Sequence, residues 1–165
     1  MKQTCVLLIV AMAVAGTPAA QPALFSDAPA DDSRLTQQQA DRLRALRSDP
    51  TTVEVQVVTA DLSRLKEAQV VTVALPGGPV VTFAARNLAL RQPDDFSWSG
   101  GAPGGSPQDG VSAHFVVRGG ALTGTIQHSG GVYTVRPLGG GLVAVARVDL
   151  RALPRGDDVI DEGFS

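Results

Sequence analysis

Cysteine is almost absent from this chain. The only one among 165 residues is Cys5, which lies in an apolar run near the N-terminus. A disulfide bond within the chain is therefore excluded, and stability must come from the burial of apolar side chains. The sequence also offers no second thiol that could act as a nucleophile.

Charged and aromatic side chains are scarce as well. Charged residues make up 18% of the chain, its net charge is −2, and aromatic residues make up 4%. A near-neutral, slightly acidic chain lacks the basic surface that binds nucleic acid or an anionic membrane, so we expect neither as a partner. The core must consist of Val, Leu, Ile and Ala, and alternating Val and Ile favour β-structure.

The first part of the chain, residues 1–20, has the features of a secretory signal peptide. Lys2 precedes an apolar run from Cys5 to Ala15, and small residues continue to Ala20. This run is too short to span a bilayer as a helix. We expect cleavage between Ala15 and Ala20, a secreted or periplasmic location, a cysteine-free mature chain and no membrane association after cleavage.

Composition divides the remaining sequence into three parts. Residues 21–33 are rich in Pro, Ala and Asp without periodicity, which predicts a flexible tether. Residues 34–150 are predicted to form one β-rich domain. Residues 151–165 are predicted to form a polar, exposed C-terminal tail.

A single helix is predicted at the start of this domain. Leu35, Leu43 and Leu46 lie among good helix formers, and a proline ends the stretch. Thr36 followed by Gln39 is compatible with a capping box. The apolar face is thin, which indicates a helix of two to three turns docked on the surface.

Strands are predicted for most of the domain. Apolar residues alternate with polar ones, as half-buried strands require, and glycine clusters separate the last four apolar runs. These runs predict a four-strand antiparallel meander with Tyr133 in the core. The fold class is mainly β, an antiparallel sandwich- or barrel-like domain of about seven to eight strands. The predicted strands are residues 51–59, 70–75, 80–83 with a continuation to 90, and the four runs between 111 and 149.

The segment 91–110 is dense in Gly, Pro and Ser and is predicted to be the longest loop of the domain. It is the candidate partner-binding loop. Trp98 has an alternative interpretation, in which it covers the edge of the core. The candidate contact residues are Phe96, Trp98, Gly100, Gly104 and Gly105.

No catalytic or metal-binding constellation is evident in the sequence. A zinc hydrolase of the His-Glu-x-x-His type needs two His four residues apart on one helix. The chain has only His114 and His128, in neighbouring predicted strands. No serine lies in a Gly-x-Ser-x-Gly elbow, and no phosphate-binding Lys follows the glycines at 139–141. We therefore expect no enzyme activity, no cofactor and no metal site.

Within the meander, three sequence pieces follow one another in a specific order. They are Leu-Thr-Gly-Thr-Ile at 122–126, Gly-Val-Tyr-Thr-Val-Arg-Pro-Leu at 131–138 and Gly-Leu-Val-Ala-Val-Ala-Arg-Val-Asp at 141–149. This order resembles the N-terminal pro-region of secreted bacterial zinc metalloproteases of the reprolysin-like, metzincin group. Trp98-Ser99-Gly100 is similar to a Trp-Ser/Thr-Gly of the same pro-regions, whereas Val143 departs from a His that is usual in that pattern.

The resemblance implies that residues 34–150 are a propeptide-like β domain, non-catalytic and secreted, that binds a protein partner. The partner would be a secreted zinc metalloprotease, and the domain would assist its folding or inhibit it through an edge strand or the 91–110 loop. Three alternatives stay open. They are a secreted β-rich module for an envelope protein or a glycan, a truncated metalloprotease precursor that lacks its catalytic domain, and an enzyme with an unrecognised site.

Overall fold

The computed structural model describes residues 23–28, 32–128 and 131–153. The predicted signal peptide and most of the predicted C-terminal tail lie outside these residues. The described chain forms nine strands and two α-helices. They are β1 (Phe25–Asp27), α1 (Gln37–Ser48), β2 (Thr52–Ala60), α2 (Leu62–Glu67), β3 (Val70–Ala74), β4 (Val80–Gln92), β5 (Asp95–Gly101), β6 (Ser112–Arg118), β7 (Ala121–His128), β8 (Gly131–Gly139) and β9 (Leu142–Val148).

The nine strands form a single antiparallel sheet that is nearly closed into a barrel. Their order in the sheet is β1-β2-β9-β8-β7-β6-β5-β4-β3. The two terminal strands meet where Ala23 forms a parallel bridge with Thr72 and the Leu24 amide donates to the Thr72 carbonyl at 2.8 Å. The mainly β fold class is therefore confirmed, and the sheet is barrel-like.

Two strands were not predicted. β1 lies in the segment that composition predicts to be a tether, yet Leu24 is 0% exposed and Phe25 is 5% exposed. β5 lies in the segment that was predicted to be a loop. Both sequences are short and are surrounded by Pro, Gly, Ser and Asp, so the local pattern does not indicate a strand. Their neighbours in the sheet provide the pairing that makes them strands.

The predicted meander is confirmed as β6 to β9. Ala113, Phe115 and Val117 are buried, while His114 and Arg118 are exposed, as the period of two requires. Tyr133 is 3% exposed and lies in the barrel core. β6 and β7 are joined by a two-residue turn in which both glycines have positive φ. This backbone matches the twist of the flanking strands.

Helix α1 is docked on the outer surface of the barrel, as predicted. The Gln39 amide donates to the Thr36 hydroxyl and the Thr36 amide donates to the Gln39 side-chain oxygen, which completes the capping box. Leu43 packs with Leu138 and Ala144 in a second, small apolar cluster. None of the helices in the described residues is long and apolar enough to cross a lipid bilayer.

Candidate partner-binding site at the free edge of β4

The site begins with a mismatch in length between two neighbouring strands. β4 has 13 residues, whereas β3 has five and pairs only with the stretch from Val80 to Ala84. β3 is short because α2 occupies the chain just before it. From Arg86 to Gln92, β4 pairs with β5 on one side, and no described strand pairs with its other side. A free edge of this kind presents backbone N–H and C=O groups to another chain.

The side chains along this edge are apolar and basic. Leu88 is half-buried against the core, while Leu90 is 59% exposed because no strand covers it. The Arg91 guanidinium lies 3.2 Å from the Asp95 carboxylate, with both side chains partly exposed to water. The edge therefore has an exposed leucine and an arginine, Arg91, whose solvent-exposed ion pair contributes little stability.

A loop folds back against the start of the same edge. The Arg86 guanidinium donates to the Gly105 carbonyl at 3.0 Å. A Cβ at Gly101 would lie 2.5 Å from Arg86 Cζ, so the glycine leaves the space that this side chain crosses. Ser106 and Asp109 form a reciprocal capping box in the next turn. These contacts give the 102–110 loop a defined position beside β4.

The turn at the other end of the edge is held by α2. The Lys66 ammonium donates to the Pro93 carbonyl at 3.3 Å and lies 5.8 Å from the centroid of the Phe96 ring. This distance is within the range of a cation–π interaction. The free edge is thus supported at both ends.

The predicted contact residues fall into two groups. Phe96 and Trp98 are 1% and 2% exposed within β5, and Gly100 is buried beside them. The prediction of a loop over residues 91–101 was wrong. Phe96 and Trp98 have the period-two spacing of a strand, but the surrounding Ser and Gly are typical of a loop. Gly104 is exposed and Gly105 is partly exposed in the 102–110 loop. Partner binding by this loop stays a prediction.

The core position of Trp98 agrees with the alternative that the sequence left open. Its ring stacks on Phe115 with centroids 5.6 Å apart. Its Nε1 atom is buried and has no hydrogen-bond partner among the described residues. The edge residues Arg86 and Leu90 were not predicted. The difference in length between the predicted strands at 70–75 and 80–90 was a signal that could have identified them.

The two histidines do not form a site. His114 pairs with Thr125, whereas His128 pairs with Gly131 at the end of β7. Since alternate residues face opposite sides of a strand, His128 lies on the other face from Thr125. Among the described residues, no group of three or more His, Cys, Asp or Glu side chains is placed to hold a metal ion.

Comparisons with known proteins give a sequence relative and a structural match. No model of a protein family matches the chain. The chain is 28% identical over 159 residues to a peptidyl-Asp metalloendopeptidase from Xanthomonas campestris pv. campestris, in an alignment that covers 89% of this chain and 38% of that protein. A solved structure described as a chaperone–substrate complex matches with a TM-score of 0.49 and 18% identity, over 78% of this chain and 97% of that chain. The chain thus spans 38% of the length of a metalloendopeptidase to which most of its sequence is similar.

Proposed function

We propose that this chain is a non-catalytic domain that binds a secreted zinc metalloprotease and either inhibits it or assists its folding. The similarity to a metalloendopeptidase carries this proposal. It extends over 89% of the chain but reaches only 38% of the relative. The chain also contains no His-Glu-x-x-His sequence with which to bind a catalytic zinc ion.

The free edge of β4 provides the physical route. Proteins that recognise extended peptides commonly do so by adding a strand, in which backbone hydrogen bonds give affinity and side-chain pockets give specificity. The stretch from Arg86 to Gln92 is already extended and is held by β5. Less conformational entropy is therefore lost on binding than with a free peptide.

The tip of the β4–β5 hairpin presents an aspartate. Pro93 and Asp94 form the turn and are exposed, next to the end of the free edge. Asp94 is the acidic residue that this tip would offer to an enzyme with the peptidyl-Asp preference named for the relative. The hairpin would then approach the substrate cleft with its tip.

Two assays test the proposal. The purified chain is titrated against the X. campestris peptidyl-Asp metalloendopeptidase while cleavage of an aspartate-containing peptide is followed, and mass spectrometry records whether the chain is cut. In parallel, the denatured protease is refolded with and without the chain. We expect saturable inhibition or a higher yield of active protease. Failure of both effects, with the chain folded, would overturn the proposal.

A substitution at the edge identifies the binding surface. Leu90→Lys places a charge on the free strand, which is a common way in which proteins block strand addition. We expect the inhibition constant to rise about tenfold or more, which corresponds to about 1.4 kcal/mol. Val53→Lys on β2 is a matched control, since Val53 and Leu90 are both 59% exposed. Equal inhibition by both variants would exclude the β4 edge.

A glycan-binding role finds no support in the described residues. Sugar rings stack on exposed aromatic side chains, and in the described part of the chain every aromatic side chain is buried. These residues are Phe25, Phe83, Phe96, Trp98, Phe115 and Tyr133, each at most 5% exposed.

A further inference from the structure

A pocket of about 230 Å³ lies at one end of the barrel. Its rim consists of the β6–β7 turn, the β8–β9 turn and the junction between β2 and α2. Leu122 and Val143 form its floor and are 2% and 3% exposed, whereas Gly120 and Gly141 on the rim are exposed. This barrel-end pocket therefore extends from the solvent to side chains of the main core.

The lining of the barrel-end pocket is apolar. Its described residues are glycine, alanine, leucine, valine and proline, none of which has a charged or polar side chain. A charged group that entered would lose its hydration without gaining a partner side chain, so the lining favours an uncharged apolar group. An engineered apolar cavity of about 150 Å³ takes up benzene. The volume here is therefore sufficient for one side chain of phenylalanine size.

The two glycine-containing turns leave the entrance of the pocket uncovered. Gly120 has a φ of 74° and Gly141 a φ of 80°, values that residues with a side chain rarely adopt. A Cβ at either position would have no other atom within 4 Å. An approaching group thus meets backbone at the rim and reaches the apolar floor without displacing a side chain of these turns.

The pocket adjoins the tip of the β4–β5 hairpin. The Gly120 amide, on the rim, donates to the Asp94 carbonyl at 3.4 Å. The Lys66 ammonium of α2 donates to the Pro93 carbonyl at 3.3 Å, and α2 begins at Leu62, which lines the pocket. A protein that binds the hairpin tip therefore also lies against the entrance of the pocket.

We propose that the barrel-end pocket receives one apolar side chain, of about phenylalanine size, from the metalloprotease that binds the hairpin tip. This inference rests on the proposed function and adds a contact that is separate from the β4 edge. Protein interfaces commonly depend on an aromatic or aliphatic side chain that fills a pocket of the partner. The filled pocket and Asp94 together fix the orientation of the barrel end against the enzyme.

Titration with benzene tests the pocket without the protease. The purified chain is labelled with ¹⁵N, and the amide signals of Gly120 and Gly141 should shift saturably. Because β4 runs from Val80 to the hairpin tip, Gly78 in the β3–β4 turn lies at the opposite end of the barrel, and its signal should not move. Absence of a saturable shift at the two rim glycines would show that the pocket does not accept an apolar group.

Ala60→Phe fills the pocket from its wall. Ala60 lines the pocket and packs against the main core cluster. We expect the concentration of chain that gives half-maximal inhibition or refolding of the X. campestris enzyme to rise about tenfold or more, as when an interface loses a pocket-filling side chain. Ala74→Phe is the matched control, because Ala74 is exposed and pairs with Val80 at the opposite end. It should leave this concentration unchanged.

Leu62→Asn keeps the pocket open but adds a polar side chain to its lining, and it should weaken the effect on the protease in the same direction. Melting curves establish that each variant is folded. Undiminished activity of folded Ala60→Phe and Leu62→Asn would refute the pocket contact and leave the proposed function standing. No effect of the unaltered chain on the protease would refute both.

Discussion

Single residues at the ends of the helices contribute to the stability of the fold through the hydrogen bonds of their side chains. Asp61 precedes α2, and its carboxylate accepts hydrogen bonds from the Ser63 hydroxyl at 2.6 Å, the Ser63 amide at 3.2 Å and Arg64 Nε at 3.2 Å. The hydrogen bond from the Ser63 hydroxyl is the main cause that lowers the pKa of Asp61 below its usual value of 3.8. The folded state therefore favours the charged form of this residue.

This cap makes part of the stability dependent on pH. A carboxyl group with a lowered pKa contributes stability above pH 3.8, and this contribution is lost as the pH falls through the lower folded-state pKa. We expect Asp61→Ala to reduce the free energy of unfolding by about 0.5–2 kcal/mol at neutral pH. Asp61→Asn keeps a capping side chain, so it should retain most of the stability at pH 7 and show a smaller loss on acidification. Urea unfolding at pH 7 and pH 3 measures both effects, and identical acid sensitivity of Asp61→Asn and the unaltered chain would contradict the assignment.

Gly100 provides the space for the buried indole ring. A Cβ at this position would lie 2.9 Å from Trp98 Cζ2 and 2.8 Å from the Ala84 carbonyl oxygen. We expect Gly100→Ala to destabilise the fold by about 1–3 kcal/mol, since an overfilled core forces side chains and backbone to shift. Trp98 is the only tryptophan in the chain, so its fluorescence reports the transition.

Gly131→Ala is the control for this substitution. The nearest atom to a Cβ at Gly131 lies at 3.5 Å, an ordinary contact distance. Its unfolding midpoint should stay the same or rise, because Gly in a strand costs conformational entropy. Equal midpoints for the two variants would show that Trp98 tolerates the added methyl group.

At the scale of elements, α1 is held by a few contacts that the sequence partly reveals. Leu43 is its only fully buried residue, while Leu35 and Leu46 pack at the margin of the same cluster. The Gln39 side chain donates to the Gly139 carbonyl at 2.9 Å and ties the first turn to the β8–β9 turn. Most of the docking energy should therefore come from one leucine.

Leu43→Ala tests this arrangement. Removal of a buried leucine side chain costs about 2–5 kcal/mol through lost apolar burial and the cavity that remains. We expect a loss in this range in urea unfolding, accompanied by faster amide exchange throughout α1. Gln38→Ala changes an exposed position of the same helix and should alter stability by less than about 0.5 kcal/mol. A small effect of Leu43→Ala would mean that α1 is not stably docked.

For the whole molecule, closure of the barrel depends on the shortest strand. β1 pairs with the end of β2 through Phe25, Ser26 and Asp27, and Leu24 donates its amide to β3. Leu24 is 0% exposed and belongs to the main core cluster. The segment that joins the two ends of the sheet therefore also fills part of its interior.

Leu24→Ala distinguishes a structural strand from a tether. If β1 closes the barrel, the substitution should cost about 2–5 kcal/mol, as expected for a buried leucine. Ser26→Ala changes an exposed residue of the same strand and should have little effect. Denaturant midpoints of the two variants give the comparison. An unchanged midpoint for Leu24→Ala would support the tether that composition predicts.

Local patterns in the sequence determined much of this molecule. The alternation at Ala113, Phe115 and Val117, the Thr36–Gln39 capping box and the paired glycines between β6 and β7 each specify a conformation within a few residues. The lack of a His-Glu-x-x-His sequence is equally visible without coordinates. These features depend on neighbours in the chain, so they could be predicted.

Only the tertiary structure decided how the strands are closed and where an edge stays open. Phe96 and Trp98 are core residues because β4 and β6 flank them on both sides, and Leu24 is buried because β3 lies beside it. The free stretch from Arg86 to Gln92 exists because β3 ends sooner than β4. Which strands pair over long sequence separations leaves no local signature, and for this reason the open side of β4 could be assigned only from the fold.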